Sequence, residues 1–293
     1  MNNLINLTEA IKTKPEKLAL QNTDQLELVT RLRHSKLSKL NKVGDGIVLY
    51  DYLDSSIKRR AQTIGLAFTI AFKIMIELFL NKDTIKKTFL DSFHFKLSNT
   101  LKETVDLEDE YVSLFVNTLK ELLAYEEMGI QHYNGIKVDV DRIEFVKCLA
   151  CSSVTLAWLY AKEKSGFLPG DKTIMLKGSP TQELLRAEVA LLIEKSLITI
   201  ENICNQNIDK VYIDPEIYDV KLGFVASIDL IINEVAIDIT TASKIKDSSS
   251  PQLLCFNAIN NKVKAYDIDR LDMLYIRSNT VISFNPEEED INA

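Results

Sequence analysis

The chain has 293 residues, of which 46% are hydrophobic and 26% charged, a composition typical of a soluble globular protein with one large or two modest domains. The net charge of −7 argues against a surface that coats nucleic acid broadly, although it leaves room for a local basic groove. Because only nine glycines and six prolines are present, we expect few loops and long helices.

The first 42 residues combine leucines at helical spacing with the most basic region of the chain. Leu26, Val29 and Leu32, continued by Leu37 and Leu40, predict one or two amphipathic helices. The basic residues are Arg31, Arg33, His34, Lys36, Lys39 and Lys42. We favour a solvated helix face for them over a phosphate-contacting arm, because the charges are spread around the predicted helix.

A second basic group, Lys58-Arg59-Arg60, is a further candidate for phosphate contact and precedes the most apolar segment, residues 66–80. This segment contains Lys73 and Glu77 and is shorter than the roughly 20 apolar residues that span a bilayer, so we predict a core helix and no membrane association. The helical pattern continues over residues 82–127 and 142–164. We therefore predict a mostly helical N-terminal region, 1–175, that packs on a core formed by 176–293.

The four cysteines are interpreted as small hydrophobic residues. Cys148 and Cys151 have the spacing of a metal-binding pair, but they lie in the apolar run CLACSSVTLAWLYA, and neither Cys204 nor Cys255 completes a cluster. Free cysteines and an N-terminus without a signal-peptide pattern lead us to expect a cytoplasmic protein. The three histidines are scattered and give no support for a zinc site.

A helix start is predicted at Ser179-Pro180-Thr181-Gln182, where Ser179 is the N-cap and Gln182 completes a capping box. Glu188 lies at the margin of the buried face of this helix. It is a candidate site residue, with Glu183 second, and the alternative is a solvated glutamate at the helix margin.

Two short apolar runs, Ile228-Asp229-Leu230 and Ile237-Asp238-Ile239, alternate apolar and acidic residues and therefore predict two strands. Asn233-Glu234 between them predicts a tight turn, because Asn tolerates the left-handed conformation. A hairpin centred on this turn pairs Ile232 with Val235 and sets the register of every pair further out.

In this register Asp229 and Asp238 face each other, with Cβ atoms about 5 Å apart. Two carboxylates in this position repel each other unless they share a cation, and oxygen ligands of this kind suit Mg²⁺ or Mn²⁺. The opposite, buried side of the hairpin is predicted to carry Ile228, Leu230, Ile237 and Ile239.

The hairpin is followed by a predicted helix and two more strands. The helix begins after Ser250-Pro251 and runs from about Gln252 to Lys264, so Gln252 lies in its first turn, where an anion such as a phosphate is favoured. Residues 271–276 and 281–284 predict strands. The order helix, strand, strand, helix, strand, strand predicts an α/β core with a mixed sheet.

These residues resemble the signature of the PD-(D/E)XK nuclease superfamily, in which an acid on one strand is followed by acid-x-Lys on the next. Asp229 and Asp238 match the acids, and Gln252 with Phe256 is similar to the Q-x-x-x-Y helix start of the RecB-like branch. The resemblance covers about residues 180–285. It implies a restriction-endonuclease-like core, a catalytic role for Asp229, Asp238 and Gln252, and Mg²⁺ or Mn²⁺ held by the two aspartates and Glu188.

One position departs from the family pattern, because Thr240 stands where the family has a lysine. In the family this lysine helps to activate water and to stabilise the phosphorane charge, which a neutral hydroxyl cannot do. Lys244 has the right strand parity, but an extended chain would carry it about 13 Å from position 240. Only a loop that folds back would return Lys244 to the site, and Lys221 is another possible substitute.

Two functions from different classes follow from the resemblance. The first is a metal-dependent DNA nuclease, with the catalytic set extended to Thr240 and Lys244 and with DNA as substrate. The second is a catalytically inactive nuclease-fold protein that acts as a nucleic-acid-binding or protein-interaction scaffold, for which Thr240 is the main argument. In either case the N-terminal helices could support a homodimer or a protein partner. A third interpretation, without a functional site, is that the two aspartates are ordinary polar residues on a solvent-facing strand.

Overall fold

The computed structural model describes residues 4–13, 23–49, 51–55, 60–80, 85–87, 149–150, 153–154, 157, 180–204, 206–246 and 248–291. The strands in this part of the chain are β1 (Ile5–Asn6), β2 (Ser35–Val43), β3 (Ile85–Lys87), β4 (Val211–Ile213), β5 (Glu216–Asp219), β6 (Phe224–Ser227), β7 (Leu230–Ile232), β8 (Val235–Thr240), β9 (Arg270–Tyr275) and β10 (Thr280–Ile291). The α-helices are α1 (Leu7–Lys12), α2 (Thr23–His34), α3 (Ala61–Phe79), α4 (Pro180–Cys204) and α5 (Pro251–Val263).

The chain divides into two compact units. The first comprises Met1–Ile47, Ile208–Thr240 and Lys244–Ala293, and the second comprises Val48–Asn207 and Thr241–Ser243. The N-terminal residues therefore belong to the same unit as the C-terminal strands. The predicted helices over residues 82–127 and 142–164 lie largely outside the described residues, so the division into 1–175 and 176–293 stays a prediction.

A mixed sheet forms the centre of the first unit, as predicted. Its six strands in this unit follow the order β2-β10-β9-β8-β7-β4. Strand β8 pairs parallel to β9, whereas the other four pairings between these six strands are antiparallel. The predicted strands at 271–276 and 281–284 are confirmed, and the second of them extends to Ile291.

A second, three-stranded sheet in the same unit was not predicted. It has the order β1-β6-β5, with β1 parallel and β5 antiparallel to β6. Helix α5 contacts β5 and β6 of this sheet and also β2, β8 and β10 of the six-stranded sheet. One helix therefore covers a face of each sheet, and the core is built around it.

The prediction of helix throughout residues 1–42 was wrong for its last part. Helix α2 ends at His34, and Ser35–Val43 forms an edge strand that pairs antiparallel with β10. Ser35 and Leu37 are buried while Lys36 is exposed, which is the period-2 pattern of a strand. The local leucine spacing favoured a helix, but β10 offers backbone hydrogen bonds that only an extended segment can accept.

The core of the first unit lies between α5 and the face of the sheet that carries Leu271, Met273 and Tyr275. Cys255, on α5, is a buried free thiol, as predicted for a small hydrophobic residue. Burial raises the pKa of this thiol to about 12.

In the second unit, α3 packs against α4. The predicted core helix is confirmed in α3, where Phe68, Phe72 and Met75 are completely buried and even Lys73 is only 6% exposed. Among the described helices, α3 included, none combines the length and apolar character that crossing a membrane requires.

Candidate functional site

The β7–β8 hairpin has the predicted register. Ile232 pairs with Val235, Ile231 with Ala236, and Leu230 with Ile237. Asn233 begins the turn with a φ of 54°, a left-handed conformation that Asn adopts more readily than most residues.

Asp229 lies in a bend just before β7, and the register continued by one residue sets it opposite Asp238. Its Oδ2 accepts a hydrogen bond of 2.9 Å from the backbone N–H of Ile239. The Asp229 carbonyl accepts from Asp214 N, also at 2.9 Å. The carboxylate of Asp229 therefore lies against the β8 backbone directly after Asp238, and it satisfies a buried N–H where the paired ladder has ended.

Asp238 points to a buried face of the sheet, which corrects the prediction of a polar face. Its partner on β9 is Met273, whose own partner on β10 is Ile282, and both apolar residues belong to the core around α5. Asp238 is 7% exposed and Asp229 is 6% exposed. The interpretation as residues on a solvent-facing strand was wrong, because α5 covers this side of the sheet. Ile237 and Ile239 are buried, as predicted.

The helix after the hairpin is confirmed and begins where the sequence places it. Ser250 is the N-cap of α5, with its Oγ accepting from Leu253 N at 3.0 Å, and Pro251 occupies the first turn. Gln252 is in this first turn and partly exposed. The helix ends at Val263, and its C-cap residue Lys264 has a left-handed φ of 52°.

The segment after β8 is held at Lys246 by a side chain from the neighbouring strand β9. The Cα partner of Thr240 is Tyr275. The Tyr275 hydroxyl donates to Lys246 O at 3.2 Å and accepts from Lys246 N at 3.1 Å, while Ile245 packs against the core. The backbone at Lys246 is therefore tied to the residue that neighbours Thr240, and Lys244 lies exposed between the two anchoring points.

Neither Tyr275 nor Lys246 was singled out from the sequence. They are 29 positions apart, and no local pattern signals that they meet. Lys221, the other possible substitute for the family lysine, lies exposed in the turn between β5 and β6 of the three-stranded sheet.

The two glutamate candidates lie on α4, in the second unit. Glu188 is completely buried, and its Oε2 accepts from the backbone N–H of Leu53 at 3.0 Å. The alternative of a solvated glutamate was therefore wrong for Glu188. Glu183 is exposed and forms an ion pair of 3.2 Å with Arg186, one turn along the helix.

None of the predicted catalytic or metal-binding residues lines a surface cavity of about 650 Å³ in the first unit. Asp219 and Lys262 line it and form an ion pair of 2.6 Å that joins β5 to α5. Burial alone would raise the pKa of Asp219, but hydrogen bonds from Lys262 and the Leu222 N–H outweigh it and hold the pKa below its ordinary value.

Within the described residues, no three or more His, Cys, Asp or Glu side chains form a group that could hold a metal ion. Asp229 and Asp238 are therefore considered as a metal-binding pair that supplies two carboxylates. Such a set is compatible with Mg²⁺, which retains several waters and is often bound through only one or two protein carboxylates. Comparison of the chain with protein-family models, curated proteins and solved structures found no match.

Proposed function

We propose that the protein is a metal-dependent nuclease that hydrolyses phosphodiester bonds of DNA, with a restriction-endonuclease-like core. The observation that carries this proposal is the hairpin register, which sets Asp229 opposite Asp238 at the end of the paired ladder. The helix with Gln252 in its first turn follows directly, in the order that the resemblance implies.

The two carboxylates are the metal-binding part of the proposal. Buried and adjacent acids are costly unless a cation or hydrogen bonds compensate them, and a cation shared by both would remove their mutual repulsion. When bound, Mg²⁺ or Mn²⁺ would lower the pKa of a coordinated water and polarise the phosphate. Glu188 is left out of the proposed donor set, because no group of three carboxylates is found among the described residues and its own carboxylate accepts the Leu53 N–H.

Positive charge near the reacting phosphate is assigned to Lys244. The support is that Tyr275, the Cα partner of Thr240, holds the backbone of Lys246 through two hydrogen bonds, two residues after Lys244. Gln252 orients the substrate or a water, and the Thr240 hydroxyl donates or accepts a hydrogen bond without supplying charge.

Calorimetry with Mn²⁺ tests the metal site. The parent should bind Mn²⁺ weakly, and Asp238→Ala should abolish this binding. Asp267→Ala is the matched control, since Asp267 is an exposed aspartate in the loop after α5 and should leave binding unchanged. Equal binding by the parent and Asp238→Ala would place the ions elsewhere and overturn the proposal.

The second candidate is the inactive scaffold, which Thr240 favours. Cleavage of single-stranded and duplex DNA by the parent, by Lys244→Ala and by Thr240→Lys separates the two functions. Thr240 ends β8 and is partly exposed, so a lysine there could extend to solvent without displacing the core. Loss of cleavage in a folded Lys244→Ala protein supports the enzyme, whereas inert parent and Thr240→Lys proteins would leave the scaffold as the better account.

A further inference from the structure

The surface cavity beside the Asp219–Lys262 ion pair has the size and the lining of a small-molecule site. Its volume of about 650 Å³ lies within the range of roughly 300–1,000 Å³ that such sites occupy. The cavity is bounded by α2, by the end of β5 with the turn after it, by α5 and by β10, all in the first unit. Leu28, Leu222 and Ile259 give the cavity an apolar part.

The wall formed by the turn after β5 is held by side chains. Gln25, which lies on α2 and is only 3% exposed, donates from Nε2 to the Leu222 carbonyl at 2.6 Å. The Leu222 N–H donates to Asp219 Oδ1 at 3.0 Å. Gly223 has a φ of 68°, and a Cβ added there would be strained and would lie 3.3 Å from Gln25 Nε2. This wall is therefore fixed before any ligand binds.

The wall formed by β10 is an irregularity of that strand. From Phe284 to Glu289, β10 advances five residues while its partner β2 advances only two, so three extra residues bulge out of the ladder. Asn257 and Asn261 on α5 both donate to the carbonyl of Pro286 in this bulge, at 2.9 and 2.8 Å. Bulges often lie beside functional sites because they redirect side chains, and here the residue after Pro286 lines the cavity.

The charged residues of the lining are equal in number and opposite in sign. Arg31 on α2 and Lys262 on α5 are cationic, whereas Asp219 on β5 and Glu287 on β10 are anionic. Asp219 is 3% exposed and pairs with Lys262 at 2.6 Å, while Arg31 and Glu287 are exposed. A ligand with a single charge would meet a group of its own sign as well as one of the opposite sign. A ligand with both charges can place each of them against its complement.

We propose that this cavity binds a small zwitterion with an apolar body, of the class of a dipeptide with free termini and apolar side chains. The ligand carboxylate contacts Arg31 and Lys262, the ammonium contacts Glu287, and the side chains pack on Leu222 and Ile259. Binding does not have to order the two walls, because hydrogen bonds already hold them, and this favours affinity. The inference is independent of the proposed hydrolysis, because within the described residues the cavity is lined by none of the proposed catalytic or metal-binding residues.

A purely structural role for the ion pair accounts for less of this arrangement. Asp219 and Lys262 join β5 to α5, and they would stabilise the fold with or without a cavity next to them. That role requires neither the bulge of β10 nor apolar side chains that border open space. A ligand with an apolar body makes use of both.

Isothermal titration calorimetry of the full chain at neutral pH, with leucyl-leucine as the probe, tests the proposal. Three related compounds each lack one feature of the probe: N-acetyl-leucyl-leucine lacks the ammonium, leucyl-leucine amide lacks the carboxylate, and glycyl-glycine lacks the apolar body. Each of the three should bind about tenfold or more weakly than leucyl-leucine, as expected for the loss of one hydrogen-bonded charge or of buried apolar groups.

Two substitutions test which residue meets which charge. In Glu287→Gln, the difference in affinity between leucyl-leucine and its acetylated form should shrink, because the ammonium has lost its partner. In Arg31→Gln, the difference between leucyl-leucine and its amide should shrink for the same reason. Both residues are exposed, and unfolding curves check that the variants fold. Glu234→Gln is the control, because Glu234 is an exposed glutamate in the β7–β8 turn, outside the cavity lining, and should leave both differences unchanged.

Four results would overturn the proposal: no binding of leucyl-leucine at millimolar concentration, equal affinity for any of the three related compounds, differences that stay unchanged in both lining variants, or differences that shrink equally in Glu234→Gln. Tighter binding of the acetylated form than of leucyl-leucine would assign the cavity to an anionic ligand and also overturn the proposal. Binding of leucyl-leucine with both differences reduced in the matching variants, and only there, would support it.

Discussion

The hydrogen bond from Ile239 N–H to Asp229 predicts a stability difference between two substitutions at one position. Asp229→Ala removes the acceptor and leaves a buried N–H unsatisfied, whereas the amide oxygen of Asp229→Asn can still accept it at the observed 2.9 Å. Both variants lose the negative charge, so the relief of repulsion with Asp238 cancels in the comparison. We expect Asp229→Ala to be less stable than Asp229→Asn by about 1–3 kcal/mol.

Urea unfolding followed by circular dichroism at neutral pH in EDTA measures this difference. Equal free energies of unfolding for the two variants would refute the reasoning that Asp229 supports the end of the hairpin ladder. Repeating the measurement with Mn²⁺ separates the structural role from metal binding. At a hundredfold excess over its dissociation constant, the ion should stabilise the parent by about 2.7 kcal/mol and neither variant. A parent that gains no stability with Mn²⁺ would contradict the metal site and leave the structural role intact.

Two further predictions concern other residues of the first unit. Lys262→Gln should lower stability at pH 7 by about 1–2 kcal/mol, less than for a fully buried pair because the Lys262 side chain is 46% exposed. The folded pKa of Asp219 is depressed, so this stability is present above the ordinary pKa of 3.8 and lost as pH falls through the lowered value. Parent and variant should therefore converge in acid, and curves that stay parallel would contradict the assignment. Cys255, with a pKa of about 12, should resist a thiol reagent at pH 8 until guanidinium unfolds the protein, and peptide mapping that finds it labelled in the folded state would show that it is not buried.

Local sequence patterns were sufficient to predict those parts of the structure that depend on residues close together in the sequence. Alternating acidic and apolar residues around Asn233 predicted the register of the hairpin, because side chains alternate strictly along a strand and the turn sets which residues pair. The start of α5 was likewise predictable from Ser250 and Pro251, whose capping chemistry acts within one turn. The mixed sheet followed from the order of these elements.

Other features required partners that are distant in the chain. Residues 35–43 have leucines at helical spacing, and only the presence of β10 makes them a strand. The alternating pattern of β8 predicted that Asp238 lies on a polar face. Asp238 is instead buried, because α5 packs over that face of the sheet. The loop after β8 is held at the Lys246 backbone by Tyr275, which is 29 positions away in the sequence. The sequence by itself thus determined which residues pair within the hairpin and where α5 begins, since these depend on local backbone geometry. Tertiary structure decided which faces are buried and which charges meet, since these depend on long-range packing.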